Sequence, residues 1–294
     1  MMALDKFFAV PSLLWFSSYF KTYLIDSTKM LSDYRTTDTM QYFLCLLGCT
    51  LSLLLFIGKP KMLMNSLSYF TLWLLYLSHF AGGDRFMTFQ WDILLLEAGF
   101  ISIFFAPLWH TSQYNHPSPS VSLTRELLRW LAFRLLVSSG LVKLLSRCRT
   151  WWTLTALHYH FESQPIPHVL SWYAQQILPD IVKRYGVVFT FIAEICLPFL
   201  FYSPIREQRL IASLANMLLM VLIAATGNYN FFNFQTITLL LIVMDDEFLF
   251  KWIPKQVWRL LDIQMPFHII VEEVKKKEEQ KNLKGLKWFL VKCQ

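Results

Sequence analysis

The sequence predicts an all-α fold: a polytopic transmembrane helix bundle of about six or seven spans. Three observations predict it. Hydrophobic residues make up 55% of the chain and charged residues only 16%, against about a quarter in ordinary globular domains. The apolar residues form continuous runs rather than the alternating ten-residue strands of a membrane barrel. Polar or Pro/Gly-containing breakers separate the runs. A soluble domain of this length would expose too much apolar surface. In a bilayer the helix exteriors meet lipid, and a helix satisfies its own backbone groups there.

Taken in order, residues 1–41 read as an interfacial helix or an altered first span. Phe7 to Phe20 is apolar, but Pro11 interrupts it and no clear cleavage site follows. The membrane domain is expected over 42–250. A span needs about 17–25 largely apolar residues, and seven stretches meet or approach that: Tyr42–Gly58, Met62–Phe80, Ile93–Trp109, Leu127–Leu145, Tyr185–Tyr202, Leu210–Thr226 and Phe231–Phe250. Lys59-Pro60-Lys61, Ala81-Gly82-Gly83-Asp84-Arg85, His116-Pro117-Ser118-Pro119-Ser120, Pro204 and Gly227-Asn228 divide them. The seventh is the weakest, because Asp245-Asp246-Glu247 truncates it. A long insertion at about 147–184 carries Trp151, Trp152, Trp172 and Tyr173, aromatics that concentrate at headgroup level. It reads as a segment on the membrane surface. Residues 251–294 form a basic tail, amphipathic or disordered, around Val271-Glu272-Glu273-Val274-Lys275-Lys276-Lys277.

The net charge of +7 comes from helix ends and the tail, the usual place of membrane-flanking Lys and Arg. No nucleic-acid signature accompanies it. Five cysteines show no CxxC spacing. Cys45, Cys49 and Cys196 sit in apolar runs and are expected to be small buried hydrophobes; Cys148 and Cys293 are loop- or tail-borne. By the positive-inside rule the basic tail favours a cytosolic C-terminus, and seven spans then put 147–184 on the luminal side. Arg147, Arg149, Lys183 and Arg184 pull the other way.

Ionisable groups inside spans are the sharpest chemical signals, because each is costly in lipid and usually faces a partner or cavity. Gln90 and Glu97 share nearly one helix face. Arg134 and Lys143 lie nine residues apart, on roughly opposite faces, and Glu194 lies midway in the fifth span. Arg134 is expected to pair with Glu97 or Glu194, either holding the bundle together or lining a polar cavity. Ser138-Ser139-Gly140 reads as small residues that permit close helix packing. The cluster from His158 through His160, Glu162 and His168 is the densest polar–aromatic stretch. Its spacing matches no zinc motif, so it reads as a surface element shaped by Pro165 and Pro167. Asn228, Asn230 and Asn233 are expected to cap the seventh helix or to form a binding edge.

These residues carry a resemblance. Phe86-Met87-Thr88-Phe89-Gln90-Trp91-Asp92-Ile93-Leu94-Leu95-Leu96-Glu97-Ala98-Gly99-Phe100 resembles a characteristic block of the lipase maturation factor family. A second block runs from Leu128-Arg129-Trp130-Leu131-Ala132-Phe133-Arg134-Leu135 through Ser139-Gly140-Leu141-Val142-Lys143-Leu144 to Thr150-Trp151-Trp152 and His158–Pro167. A third is Thr226-Gly227-Asn228-Tyr229-Asn230-Phe231-Phe232-Asn233, nearer to the second branch of that family than to the first. The likeness covers about residues 40–250. Family members are longer, continuing into a β-rich domain taken to be luminal, so a truncated form lacking that domain is expected.

The resemblance implies a non-enzymatic, chaperone-like factor, multi-pass in the endoplasmic reticulum membrane, without cofactor or metal. It would assist maturation, folding and secretory transport of an immature secreted lipase, such as lipoprotein lipase, or of another secretory client. Its partners would be that client and the lipid bilayer, with no nucleic acid. Trp151, Trp152, His158, His160, Glu162 and Asn228 are the candidate client contacts. Two other readings stay open: a membrane enzyme distantly like the vitamin K-dependent carboxylase group, with Glu97, Arg134, Lys143 and His160 lining a cavity, and a nonfunctional truncated paralogue. A transporter would need paired half-helices or an inverted repeat, and neither is visible.

Overall fold

The computed structural model describes residues 10–17, 33–58, 61–83, 87–108, 119–164 and 168–252. Every described element is helical. A short 3-10 turn at Leu13–Phe16 precedes α1 (Asp33–Ile57), α2 (Ser66–Gly82), α3 (Gln90–Phe105) and α4 (Pro119–Leu145). Three short helices follow: α5 (Arg149–Trp152), α6 (Ala156–His160) and α7 (Val169–Ile177). The long helix α8 begins at Asp180, passes through a π-helical turn at Ile192–Cys196 and ends as 3-10 helix at Leu197–Tyr202. After it come α9 (Arg206–Thr226), α10 (Phe232–Leu241) and α11 (Asp246–Trp252).

Each of the seven apolar runs is mainly helical where it is described. Three helices are both long and apolar enough to cross a bilayer: Thr37–Ile57, Asp180–Tyr202 and Arg206–Thr226. The others are shorter or carry charge. The seventh run corrects the expectation of one span, since it holds two helices, α10 and α11. The acidic cluster accounts for the break. Asp245 accepts from Phe248 N at 2.8 Å, and Asp246 and Glu247 occupy the first turn of α11, where carboxylates complement the helix dipole. The chain divides at Met244 into two units, and in the described part of the second Phe248 lies against Trp252, with ring centroids 6.0 Å apart.

In the first unit, neighbours in sequence pack in space: α1 on α2, α2 on α3 and α3 on α4, while α10 returns against α3, α4 and α9. The core joins Leu94 of α3, Leu128, Leu131, Ala132, Leu135 and Leu136 of α4, Phe201, Ala212, Leu219, Leu239 and Leu240. Hydroxyls and indoles fasten the helices by reaching carbonyls on their neighbours. Trp73 Nε1 donates to Leu96 O at 3.0 Å, Ser66 Oγ to Ala106 O at 2.7 Å and Ser213 Oγ to Leu240 O at 2.9 Å. Such bonds suit lipid, where no water competes for the carbonyl. The segment at 10–17 is tied down in the same way: Ser12 Oγ donates to Ser78 O at 2.9 Å, and Leu13 N to Ser78 Oγ at 3.0 Å.

Two expectations are corrected. Cys45, Cys49 and Cys196 are exposed rather than buried, because they lie on outer helix faces where the bilayer is the solvent. The stretch between α4 and the next long helix ends at Pro179, not at 184: α8 starts at Asp180 and takes Lys183 and Arg184 into the long helix. Several readings fall outside the described residues. They are the tail beyond Trp252 with Cys293, most of 1–41, Lys59-Pro60, Asp84-Arg85-Phe86, His116-Pro117-Ser118 and Pro165-Ile166-Pro167.

Candidate functional site

The polar groups gather where α4 meets the π-helical turn of α8. Small residues make the approach possible. A Cβ on Gly140 would lie 2.5 Å from Ile195 Cγ1 and 3.0 Å from Glu194 Cβ, so only glycine lets the two backbones come this close, as the Ser138-Ser139-Gly140 reading requires. Glu194 is buried. Lys143 Nζ donates to Glu194 Oε2 at 2.5 Å, to Ser139 Oγ at 3.0 Å and to Ser139 O at 3.2 Å. Ser139 Oγ in turn donates to Glu194 Oε1 at 3.3 Å. An ammonium carries three protons, and these acceptors take all of them. Lys143 is therefore a clamp and not a free nucleophile. Its charge also lies 5.5 Å from the Trp151 ring centroid, within cation–π range.

The chain beyond α4 is folded back over this pair. Arg147 adopts a left-handed conformation, φ 55°, which ends α4 in the manner of a helix-terminal residue. Leu154 does the same at φ 58°, separating α5 from α6. Trp151 packs edge-on against Phe191 of α8, centroids 5.8 Å apart. In α6, His160 lies parallel to the Tyr229 ring, centroids 6.3 Å apart, and shares a 3.3 Å hydrogen bond with its hydroxyl. Burial, and next the nearby Lys143 charge, push the His160 imidazole below its ordinary value. Burial pushes the Tyr229 phenol up. Both shifts favour the neutral forms that share this bond.

A second layer of bonds fastens α6 and α7. Gln164 Nε2 and Ser171 Oγ both donate to Thr226 O, at 2.8 and 2.6 Å, satisfying a carbonyl that the end of α9 would otherwise orphan. Gln175 Nε2 donates to His158 O at 2.9 Å. Lys183, 5% exposed, donates to Gln175 O at 2.8 Å. That places a cation near the C-terminal end of α7, where the helix dipole favours it. His158 Nε2 meets Asp180 Oδ1 at 3.2 Å. Five elements, α4 and α6 to α9, are thus locked together, while Trp152, Tyr159, Trp172 and Tyr173 stay exposed.

The candidate residues divide. Lys143 and Glu194 form the clamp, with Trp151 and His160 close to it; His158 belongs to the second layer. Arg134 pairs with Glu97 and not with Glu194, on a separate part of the bundle. Gln90 is the exposed first residue of α3. Trp152, Glu162 and Asn228 are exposed. The expectation of asparagine caps is corrected: the N-cap of α10 is Phe231, without a side-chain bond. Asn230 instead supplies a left-handed turn, φ 51°, a conformation asparagine tolerates, and Asn233 is buried. His158 and His160 turn to different partners, and among the described residues no three His, Cys, Asp or Glu side chains gather as metal ligands.

Three participants were not singled out from the sequence: Asp92, Lys183 and Tyr229. Asp92 is buried and accepts from Tyr76 Oη at 2.5 Å, joining α2 to α3. The rule that flagged Glu97, a carboxylate in an apolar run, applies equally to Asp92. Tyr229 stood inside a quoted block. Nothing local marks Lys183 as buried.

The sequence matches the lipase maturation factor transmembrane domain over residues 2–251. It is 46% identical over 243 residues to lipase maturation factor 2 of Xenopus laevis, covering 81% of this chain and 31% of that protein. It is 44% identical over 222 residues to lipase maturation factor 2 of Homo sapiens, covering 72% and 31%. To lipase maturation factor 1 of Mus musculus it is 31% identical over 182 residues, covering 62% and 31%. The chain thus spans about a third of the length of these relatives. No solved structure matches it.

Proposed function

Since this chain belongs to the lipase maturation factor family, we propose that it is a non-catalytic, multi-pass factor of the endoplasmic reticulum membrane that assists folding, assembly and secretory transport of secreted lipases. The bundle is the support, and residues 149–179 are the luminal platform that meets the immature client. One observation carries this reading. The segment is fastened to α8 and α9 by partly buried polar bonds, yet it leaves Trp152, Tyr159, Trp172 and Tyr173 exposed. A fixed scaffold with exposed aromatics can bind an apolar patch of a folding intermediate without first being ordered itself. Such binding lowers the intermediate's free concentration and with it the rate of aggregation. The saturation of Lys143 by Glu194 and Ser139 supports a structural rather than a chemical role for the polar cluster.

The test is rescue. The chain is expressed with lipoprotein lipase in cells lacking endogenous maturation factor, and secreted lipase activity is measured per unit of lipase mass. Restored activity is expected. If the chain accumulates in the endoplasmic reticulum and specific activity stays at the level of cells without it, the proposal fails for this client.

A further inference from the structure

Glu97 and Arg134 pair across α3 and α4. Each lies near the middle of its helix. Unlike the Lys143 clamp, this pair looks outward: the Arg134 side chain is 49% exposed and that of Glu97 38%. Exposed apolar side chains flank it on both helices. On α3, Ile93, Phe100 and Phe104 are exposed on the stripe that carries Glu97; on α4, Leu127, Trp130 and Leu141 are exposed on the stripe that carries Arg134. At 1.5 Å per residue these stripes extend about 16 and 21 Å along the helices. Charged groups flanked above and below by lipid-facing aromatics are costly unless something polar covers them.

The spacing says what kind of object does so. Leu127, Trp130, Arg134 and Leu141 are separated by three, four and seven residues, the interval of a helix packed lengthwise on another helix. The patch offers one acid and one base, both partly exposed, on adjacent helices. It is complementary in charge to itself under a two-fold rotation, which sets Arg134 of each copy beside Glu97 of the other. A partner helix that was merely apolar would leave both groups desolvated without gain.

We infer that the α3–α4 face is a dimer interface within the membrane, occupied by a second copy of this chain, with the two Glu97–Arg134 pairs forming a four-charge cluster across the two-fold axis. This goes beyond the maturation role and is independent of it. The interface is built by the bundle alone and needs no client.

The experiment co-expresses two differently tagged full-length copies and measures co-purification in a mild detergent. Wild-type copies are expected to co-purify. Two Arg134→Glu copies place four acids together and two Glu97→Arg copies four bases, and each combination is expected to lose at least tenfold of the recovered partner. Mixing one Arg134→Glu copy with one Glu97→Arg copy restores a balanced cluster and is expected to recover most of the signal. So is the double swap Glu97→Arg/Arg134→Glu. Wild-type copies that do not co-purify, or charge-matched variants that do so undiminished, would overturn the inference.

A photo-crosslinking residue at Trp130 in the otherwise unaltered chain covers the case in which the charge variants fail to fold. An adduct of twice the chain mass carrying both tags is expected. Adducts to lipid or to another protein alone would overturn the proposal.

Discussion

Among the described residues two acid–base pairs join α4 to neighbouring helices, and they are opposites. Lys143–Glu194 is enclosed, with side chains 18% and 4% exposed, while Arg134–Glu97 stands open at 49% and 38%. Helix geometry produces the difference. Gly140 brings α4 against the π-helical turn of α8, so Glu194 can point only into the contact. Around Arg134 the neighbours that face the core are Leu131, Ala132, Leu135 and Leu136, and Arg134 is left on the far side. The enclosed pair holds one chain together and lies beside Trp151 of α5. The open pair is free to act between chains. The same residue types in the same helix thus serve different levels of organisation, decided by which face each occupies.

Removing one partner should separate the two pairs. Lys143→Met leaves Glu194 buried and unpaired, and a loss of about 3–5 kcal/mol is expected, read as a collapse of steady-state protein level. Adding Glu194→Leu should restore much of it, because an apolar pair of similar volume avoids the buried charge. If the single variant accumulates like wild type, the clamp is not structural. Gly140→Val should cost about 1–3 kcal/mol through overpacking against Ile195 and Glu194, seen as a lower thermal transition in detergent.

At the open pair the effects on level should be smaller than for Lys143→Met. Among them Arg134→Glu should be worse than Glu97→Leu, since it sets two acids side by side; equal levels would count against the pairing. Ser171→Ala should cost about 1 kcal/mol and act locally, raising hydrogen exchange across 169–177 while the core of α9 stays protected.

The smallest effect is on pH. Burial holds the folded His160 imidazole below its ordinary value. An unfolded imidazole near pH 6.5 therefore takes up its proton first as the solution is acidified. The stability contributed by neutral His160 is complete above about pH 6.5 and is lost as pH falls through the lower folded value. His160→Gln should flatten the fall in transition temperature between pH 7.5 and 5.5. An unchanged slope would show that the stacked His160–Tyr229 contact does not titrate with folding.

Much of this architecture was legible in the sequence, for a physical reason. In lipid an apolar run must be helical, so length and breakers locate helices well. They cannot say whether a weak run holds one helix or two, because that depends on a local cap such as Asp245. The polar pairs were legible as a set, since any charge in a span needs an explanation. The partners were not: Lys143 and Glu194 are 51 residues apart, and only the Gly140 contact aligns them. The surface segment shows the same limit. Trp151 and His160 stand out by type, yet Lys183 looks like an ordinary flanking base and is buried with its ammonium on the Gln175 carbonyl of α7.

The platform reading is tested most directly by site-specific photo-crosslinking from Tyr159 and Trp172, both exposed on that face, in cells secreting lipoprotein lipase. Adducts containing the lipase polypeptide are expected, formed while the lipase is immature and absent once it is secreted. Adducts to lipid alone from both positions would contradict the account and make the segment a membrane anchor.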